Sequence, residues 1–202
     1  MRSHGFIDEA PSLQREPSDT PMLSAIALFA SSRRNGNTGQ LMDRIASELD
    51  IEVIDLATKR MSAYDYEHRN RNDDFEELMK RALAFDQLIF ATPVYWYSVS
   101  PPMKVFLDRI SDFLDLPDLL DDGRRLRGKE AYVVCTSIYD EVPSSFMSAF
   151  LETFDYLGMR FGGVAHANCR EGYVPAQHDA EALAFARLVR SDGHARGIVR
   201  SG

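Results

Sequence analysis

The sequence predicts an α/β protein in which a five-stranded parallel sheet is covered by helices on both faces. Five short apolar, β-rich runs alternate with amphipathic helical stretches along the chain. Two of these runs, residues 23–30 and 131–137, are almost continuously apolar, which is typical of strands buried on both faces. Strands that alternate with helices in one chain favour parallel pairing through right-handed crossovers.

The predicted elements follow one another in a regular order. Strands are expected at residues 23–30, 51–56, 87–92, 131–137 and 160–167. Apolar side chains recur at helical spacing in the stretches around residues 41–49, 75–83, 103–110, 146–154 and 180–190. Asn37, Asp73 and Ser100 are the predicted caps of the first three helices, and Pro101 opens the third. Gly158 is expected to end the fourth helix.

Length and composition indicate one domain of ordinary size. The chain has 202 residues, of which 45% are hydrophobic and 27% charged, as in a soluble globular protein. We expect a single domain over residues 22–191. Residues 1–21 are mostly polar and contain three prolines, so a flexible extension is predicted there. Residues 192–202 are predicted to form a C-terminal tail.

Charge, hydropathy and cysteine content exclude several classes of function. The net charge of −8 argues against a general nucleic-acid binder, because proteins that track phosphates have basic surfaces. No run of about 18 apolar residues is present, so no membrane span is predicted. Cys135 and Cys169 form no C-x-x-C pair and the five histidines are scattered, so no metal site is expected. This cysteine usage favours a reducing, cytoplasmic location.

The loops that follow strands one, three and four are the candidates for a ligand site, because ligands of such sheets bind beyond the carboxyl ends of the strands. The first loop, residues 31–38, reads Ser-Ser-Arg-Arg-Asn-Gly-Asn-Thr. Its hydroxyls, amides and guanidinium groups, with the free N–H groups of a helix start, suit a phosphate dianion. A polar turn with a helix cap is the alternative. Neither the Walker A pattern nor G-x-G-x-x-G occurs.

The second loop, residues 92–102, carries three consecutive aromatic residues, Tyr95, Trp96 and Tyr97. Such side chains are costly to leave in water at the mouth of a sheet, and they can line a planar ring system. Pro93 would stiffen the backbone whose amides face that ring. The alternative is that the aromatic side chains cover the sheet edge or a subunit contact.

These two loops carry a resemblance to a known family. Residues 30–38 resemble the G-S-x-R-x-x-[SN]-T phosphate loop of the NADPH-dependent FMN reductase family, within the flavodoxin-like superfamily. Residues 91–98 and 102–109 resemble that family's T-P-[VE]-Y-x-x-S and x-[ML]-K-x-x-[IL]-D-[RW] segments. The resemblance implies a flavodoxin-like three-layer sandwich with strand order 2-1-3-4-5.

The resemblance also implies a set of cofactor-binding residues. Ser31, Arg33, Asn37 and Thr38 are expected to hold the FMN phosphate from an exposed loop. Residues of the second loop are expected to line the isoalloxazine ring, mainly through backbone amides, namely Pro93, Val94, Tyr95, Trp96, Tyr97 and Ser98. The third loop, residues 136–139, lacks the glycines common in the family and contributes Ser137. No catalytic side chain and no metal ligand are implied, because the flavin carries the chemistry.

The implied activity is an NAD(P)H-dependent flavin oxidoreductase. Hydride is expected to pass from NADPH or NADH through FMN to a small acceptor, such as a quinone, another flavin, or a nitro or azo compound. A homodimer or homotetramer is also implied. A flavodoxin-type electron carrier without NAD(P)H activity is the alternative, although Arg33 stands where carriers use hydroxyls in a T-x-T-G-x-T pattern. A flavin-free scaffold or regulator is the third possibility.

The iron–sulfur flavoproteins, a close branch of this family, have a compact cysteine cluster between the second strand and the second helix. The corresponding stretch here, residues 64–74, contains no cysteine, so no iron–sulfur cluster is expected. A solvated loop is predicted for it, with a lid over the flavin as the alternative. Asp108 and Arg109, at the end of the third helix, are expected to have structural roles at its surface.

Overall fold

The computed structural model describes residues 24–200, with side chains over residues 24–193. Its centre is a five-stranded sheet of order β2-β1-β3-β4-β5 in which every adjacent pair is parallel. The strands are β1 (Ala25–Phe29), β2 (Glu52–Asp55), β3 (Gln87–Ala91), β4 (Glu130–Ser137) and β5 (Arg160–Asn168). This is the flavodoxin-like order, so the predicted fold class is confirmed. The extension predicted at residues 1–21 lies outside the described residues.

Seven helices are seen over the described part of the chain. They are α1 (Asn37–Leu49), α2 (Phe75–Ala82), α3 (Pro101–Arg109), α4 (Asp112–Asp115), α5 (Leu120–Arg124), α6 (Ser144–Leu157) and α7 (Pro175–Arg200). The two shortest, α4 and α5, were not predicted, because four or five residues are too few to show a periodic pattern. Helix α7 extends beyond the predicted helix at both ends and runs past residue 191. The domain boundaries stay a prediction.

The positions of the helix ends were predicted better than the hydrogen bonds of their caps. Gly158 ends α6 in the left-handed region, at φ 70°, as predicted. Ser100 is the N-cap of α3, but its hydroxyl makes no capping bond to the helix. The N-cap of α1 is Gly36 rather than Asn37, which is the first helical residue. The predicted capping bond from the Asn37 side chain is therefore wrong.

Each face of the sheet carries its own apolar cluster. Successive residues of β1 point to opposite faces, so Ile26 and Leu28 pack with α2, α3 and α6. Ala27 and Phe29 pack with α1 and α7 on the other face. All four side chains are fully buried. Helices cover both faces of the sheet. The loops singled out in the sequence lie at the carboxyl edge of its strands.

Arg109 lies inside the protein, so its predicted surface position is wrong. Its side chain is 2% exposed. The Nη1 atom donates to Asp73 Oδ2 at 2.6 Å, and Nε donates to Asp112 Oδ2 at 2.6 Å. Two carboxylates with good geometry are needed to offset the desolvation of a buried guanidinium. Asp108 is partly exposed at the helix surface, as predicted, and pairs with Lys104.

The polar segment at residues 64–74 is anchored by this buried arginine. Arg109 donates to the backbone carbonyl of Asn70 at 3.4 Å, and His68 Nδ1 lies 2.8 Å from Asp112 Oδ1. The outer side of the segment is exposed, with Tyr66 at 87%. The segment is therefore anchored on its inner side and solvated on its outer side. It packs beside α3 and α4.

Candidate functional site

The three candidate loops lie side by side at the carboxyl edge of the sheet. The hydrogen-bond ladder continues past the ends of the strands, with Ala30 N–H donating to the Ala91 carbonyl at 2.8 Å. Likewise, Thr92 N–H donates to the Val134 carbonyl at 2.9 Å and Val94 N–H to the Thr136 carbonyl at 3.0 Å. The loops after β1, β3 and β4 therefore form one continuous surface.

Ser100 and Thr92 join the first loop to the second. The Ser100 hydroxyl donates to the Ala30 carbonyl at 2.9 Å, and the Ser100 N–H donates to Thr92 Oγ1 at 3.1 Å. Both side chains are fully buried. Buried hydrogen bonds of this kind are expensive to break, because each partner would be left unsatisfied. The hydroxyl predicted as a helix cap thus fixes the spacing of the two loops.

In the first loop, two neighbouring arginines have different surroundings. Arg34 makes a bidentate contact with Asp43 and lies 5.0 Å from the centre of the Phe29 ring. Arg33 is exposed, and its side chain forms no ion pair with any residue that the structure describes. Arg33 is therefore the guanidinium of this loop that is available to an anion.

The start of α1 lies close against the loop that precedes it. A Cβ atom on Gly39 would lie 1.8 Å from the Arg34 carbonyl oxygen, so only glycine permits this approach. The first N–H groups of a helix have no acceptor within the helix. At this position they join the first loop as donors for an anion. Gly39 was missed by the sequence reasoning, which ended the loop at residue 38.

The Asn37 and Thr38 side chains have protein partners. Thr38 is 3% exposed, and its Oγ1 lies 2.6 Å from Thr136 Oγ1 of β4. Asn37 Oδ1 accepts from the Tyr173 N–H at 3.2 Å, and its Nδ2 donates to the Cys169 carbonyl at 3.5 Å. The expectation that Thr38 lies on an exposed loop is therefore wrong. These two side chains hold the start of α1 against β4 and the chain after β5.

The second loop makes a tight two-residue hairpin. Tyr95 and Ser98 exchange backbone hydrogen bonds of 2.8 and 3.0 Å. The two residues between them have positive φ angles, 49° for Trp96 and 63° for Tyr97. Turns of this type favour Asn and Gly, so bulky aromatic residues are held there at a cost of about 1–3 kcal/mol each. Pro93 is buried, and Val94 is partly buried.

This hairpin leaves few free backbone donors. Pro93 has no N–H, and those of Val94, Tyr95 and Ser98 donate to carbonyls within the protein. The N–H groups of Trp96 and Tyr97 make no hydrogen bond to any residue in the described range. The two N–H groups at the tip of the turn are thus the ones available to a ligand.

The three aromatic side chains of the second loop diverge instead of forming one wall. Burial alone would raise the pKa of Tyr95, but hydrogen bonding to Ser32 and Ser31 of the first loop lowers it. Trp96 is 94% exposed. The Tyr97 ring stacks on Tyr139 of the third loop, with the ring centroids 5.4 Å apart. Each ring therefore faces a different part of the site.

In the third loop, Ser137 is bound from two sides. Its hydroxyl lies 2.8 Å from His166 Nε2 of β5 and accepts from the Tyr139 N–H at 3.0 Å. Burial lowers the pKa of His166 below its ordinary value, which favours the neutral imidazole. No motif in the sequence marks His166 or Tyr139, since both reach the site only through the pairing of β4 with β5 and the turn after β4.

Neither cysteine is exposed at this surface. Cys135 and Cys169 are buried, and burial raises the pKa of their thiols to about 12 and about 11, respectively. Over the described residues, no group of three His, Cys, Asp or Glu side chains is placed to hold a metal ion.

None of the helices between residues 24 and 200 is both long and apolar enough to cross a membrane.

Comparison with known proteins supports the resemblance seen in the loops. The model of the NADPH-dependent FMN reductase family matches residues 23–168. The Bacillus subtilis protein YwqN, provisionally named an NAD(P)H-dependent FMN-containing oxidoreductase, is 31% identical over 172 residues. Those residues span 80% of this chain and 94% of YwqN.

Two further relatives cover different lengths of the chain. An iron–sulfur flavoprotein of Archaeoglobus fulgidus is 26% identical over 109 residues, which are 48% of this chain and 50% of that protein. The structure of the Trp repressor binding protein from Bacillus subtilis has a TM-score of 0.63 and 27% identity. It covers 81% of this chain and 96% of its own.

Proposed function

The chain belongs to the NADPH-dependent FMN reductase family, and we propose on this basis that FMN binds across its three loops and is reduced there by NAD(P)H. The observation that carries the proposal is the first loop. An unpaired guanidinium, two adjacent hydroxyl side chains and a helix start meet there, beside a hairpin with two free N–H groups. A cofactor with a terminal phosphate and a planar polar ring fits this set of donors.

The phosphate end of the proposed site is formed by side chains and backbone together. Ser31 and Arg33 supply a hydroxyl and a guanidinium. Asn37 and Thr38 contribute through the N–H groups at the start of α1, because their side chains are bound elsewhere. Gly39 permits the close approach that brings those N–H groups to the loop.

The ring end of the proposed site is formed by the second and third loops. In this proposal the N–H groups of Trp96 and Tyr97, which have no partner among the described residues, would donate to the flavin ring. Pro93, Val94 and Ser98 form the backbone that supports this turn, and Ser137 lies on the neighbouring strand end. When bound, FMN supplies the hydride chemistry between a nicotinamide and an acceptor. No side-chain acid or base is needed for that transfer, so the chain's own task is to bind and orient.

For such a reductase we propose a small-molecule acceptor, such as a quinone, another flavin, or a nitro or azo compound. The exposed turn at Trp96 leaves one side of the proposed site open to such molecules. Because donor and acceptor would use the same opening in turn, we expect ping-pong kinetics. A homodimer or homotetramer and a cytoplasmic location remain predictions from the sequence.

Binding and reduction of FMN test this proposal separately. The protein, freed of any bound flavin, is titrated with FMN and with riboflavin by fluorescence quenching, and FMN is expected to bind more tightly. Anaerobic NADH or NADPH is then added to the loaded protein while the flavin absorbance is followed. Bleaching within seconds supports a reductase. Tight FMN binding with no bleaching over minutes would instead support an electron carrier of the flavodoxin type.

A further inference from the structure

The outer edge of β5 is the longer of the two open edges of the sheet. Strand β5 has nine residues, whereas β2, at the opposite edge, has four. Within the part of the chain that the structure describes, β4 is the only strand that pairs with β5. An unpaired edge of this length offers a row of backbone donors and acceptors to another strand.

The hydrogen bonds to β4 identify the residues whose backbone faces outward. The N–H of Cys169, directly after β5, donates to the Ser137 carbonyl at 2.7 Å. Because successive residues of a strand direct their backbone groups to opposite sides, Val164, His166 and Asn168 face away from β4. His178 Nε2 donates to the Asn168 carbonyl at 3.0 Å. The outward N–H groups of Val164 and His166 make no hydrogen bond to any described residue.

Exposed apolar side chains flank this edge on the face covered by α6. Phe161 is paired with Ala131, so its side chain lies on that face, and it is exposed. Leu151 of α6 is exposed too. It lies on the side of the helix opposite to Thr153 and Tyr156, which line the groove between α6 and α3. Leu151 and Phe161 therefore lie on the side of this layer that is directed to the β5 edge.

The other face of the sheet adds a third exposed apolar side chain at this edge. Leu188 of α7 packs so closely on β5 that a Cβ atom on Gly163 would lie 2.6 Å from its Cδ2 atom. Large apolar side chains grouped around an open strand are typical of a surface that binds another protein.

Positive charge predominates at the amino end of β5. Arg160 begins the strand, and its side chain is 59% exposed and lies 3.4 Å from Glu130. Arg127 is exposed beside this end, where a Cβ atom on Gly158 would lie 3.2 Å from its side chain. Two guanidinium groups thus accompany one carboxylate.

Negative charge predominates at the carboxyl end of β5. Asp140, Glu171, Glu181 and Arg170 line a cavity of about 580 Å³ beside this end. Asp140 Oδ1 accepts from the Asn168 side chain at 2.8 Å, which fixes this carboxylate next to the last residue of the strand. Three carboxylates thus accompany one guanidinium.

A strand with opposite charges at its two ends is complementary to an antiparallel copy of itself. We infer that the β5 edge binds the β5 edge of a second copy of this chain, antiparallel about a two-fold axis near Val164. Arg160 of each copy then lies opposite Asn168 and Asp140 of the other. The β2 edge lacks this complementarity, because an antiparallel copy would place Glu52 opposite Asp55, and like charges repel.

Sedimentation velocity of the full-length protein over a range of concentrations tests this inference. The wild type is expected to dimerise. Val164→Lys should raise the dissociation constant at least about tenfold, because a charged side chain on an edge strand opposes pairing. Val53→Lys is the matched control, since Val53 is likewise a partly exposed valine on an edge strand. It should stay within about twofold of the wild type, because distant sites act independently.

A charge exchange tests the antiparallel arrangement without altering the core. Arg160→Glu should raise the dissociation constant at least about tenfold, because each new carboxylate would face Asp140 of the other copy. Adding Asp140→Arg to the same chain should restore dimerisation. A loss that this second substitution leaves unrepaired would contradict the arrangement. If Val164→Lys fails to fold by circular dichroism, this pair of variants decides alone.

Hydrogen exchange of the Val164 and His166 amides identifies what covers the edge. In the dimer, the Val164 amide should be protected. A monomeric wild type with protected amides would show that another segment of this chain covers the edge, and one with unprotected amides would show that nothing does; either result would overturn the inference. A dimer that tolerates both Val164→Lys and Arg160→Glu would also overturn it. None of these measurements involves flavin, so the proposed function would stand in every case.

Discussion

Replacing Arg109 with methionine should destabilise the protein by about 3–5 kcal/mol, because the change leaves two buried carboxylates without their counter-ion. Asp73 and Asp112 are 4% and 6% exposed, and each receives a 2.6 Å hydrogen bond from the guanidinium. The guanidinium also lies 4.7 Å from the centre of the Phe75 ring, so a cation–π contact is lost as well. Equilibrium unfolding in urea, followed by far-ultraviolet circular dichroism, measures the loss.

A matched control separates this effect from the loss of any arginine. Arg124 pairs with Asp121 across one helical turn, and the two side chains are 68% and 94% exposed. Arg124→Met should cost less than about 1 kcal/mol, as exposed ion pairs do. If Arg109→Met were no more destabilising than Arg124→Met, the buried pairs would contribute nothing to stability and the reasoning would fail.

The pH dependence gives a further check on Arg109→Met. Burial raises the pKa of Asp73, but hydrogen bonds from Arg109 and from the N–H groups of Ser62 and Phe75 hold it below its ordinary value. A depressed carboxyl pKa stabilises the fold above about pH 4, and this contribution is lost as the pH falls through the folded-state value. In the variant, Asp73 can take up a proton and relieve its unpaired charge. The stability difference between wild type and variant should therefore narrow from pH 7 to pH 4, and a constant difference would refute this assignment.

The remaining predictions concern the site and its surroundings. Arg33→Ala should weaken FMN binding by about 1–3 kcal/mol in calorimetric titration without lowering stability, and unchanged affinity would remove this side chain from the site. Gly39→Ala should weaken FMN binding and lower the melting temperature, because its Cβ would lie 1.8 Å from a backbone oxygen; unchanged values would contradict that close approach. Because burial lowers the pKa of His166, the native state should lose stability as the pH falls below about 6.5, and His166→Gln should show a flatter urea-stability profile between about pH 6.5 and 5. Cys135 and Cys169 should react slowly with a thiol reagent at neutral pH and fully in denaturant, and fast labelling of the native protein would contradict their burial.

The strands and the larger helices could be predicted because their signals are local. A continuous apolar run such as that around Ile26 or Val133 already implies a strand with two covered faces. Gly158 ends a helix through its own backbone freedom, which needs no distant partner.

The roles of individual polar side chains could not be predicted, because their partners are distant in sequence. Thr38 meets Thr136 across 98 positions, and Asn37 meets Tyr173 across 136. In the sequence, both residues suit a phosphate loop equally well. Arg109 is similar, since a charged residue at a helix end normally faces water. Only the fold brings Asp73, 36 positions away, into contact with it.

The turn that carries Trp96 also determines what fluorescence can reveal about this protein. The chain has one tryptophan, and it is almost fully exposed on that turn, whereas the core is built largely from phenylalanine and aliphatic residues. The emission of the native protein should therefore resemble that of an indole in water and change little when the core unfolds. A molecule that binds next to the turn would alter this emission without any change in fold. Tryptophan emission would thus report on occupancy of the loops, and circular dichroism on the integrity of the sheet.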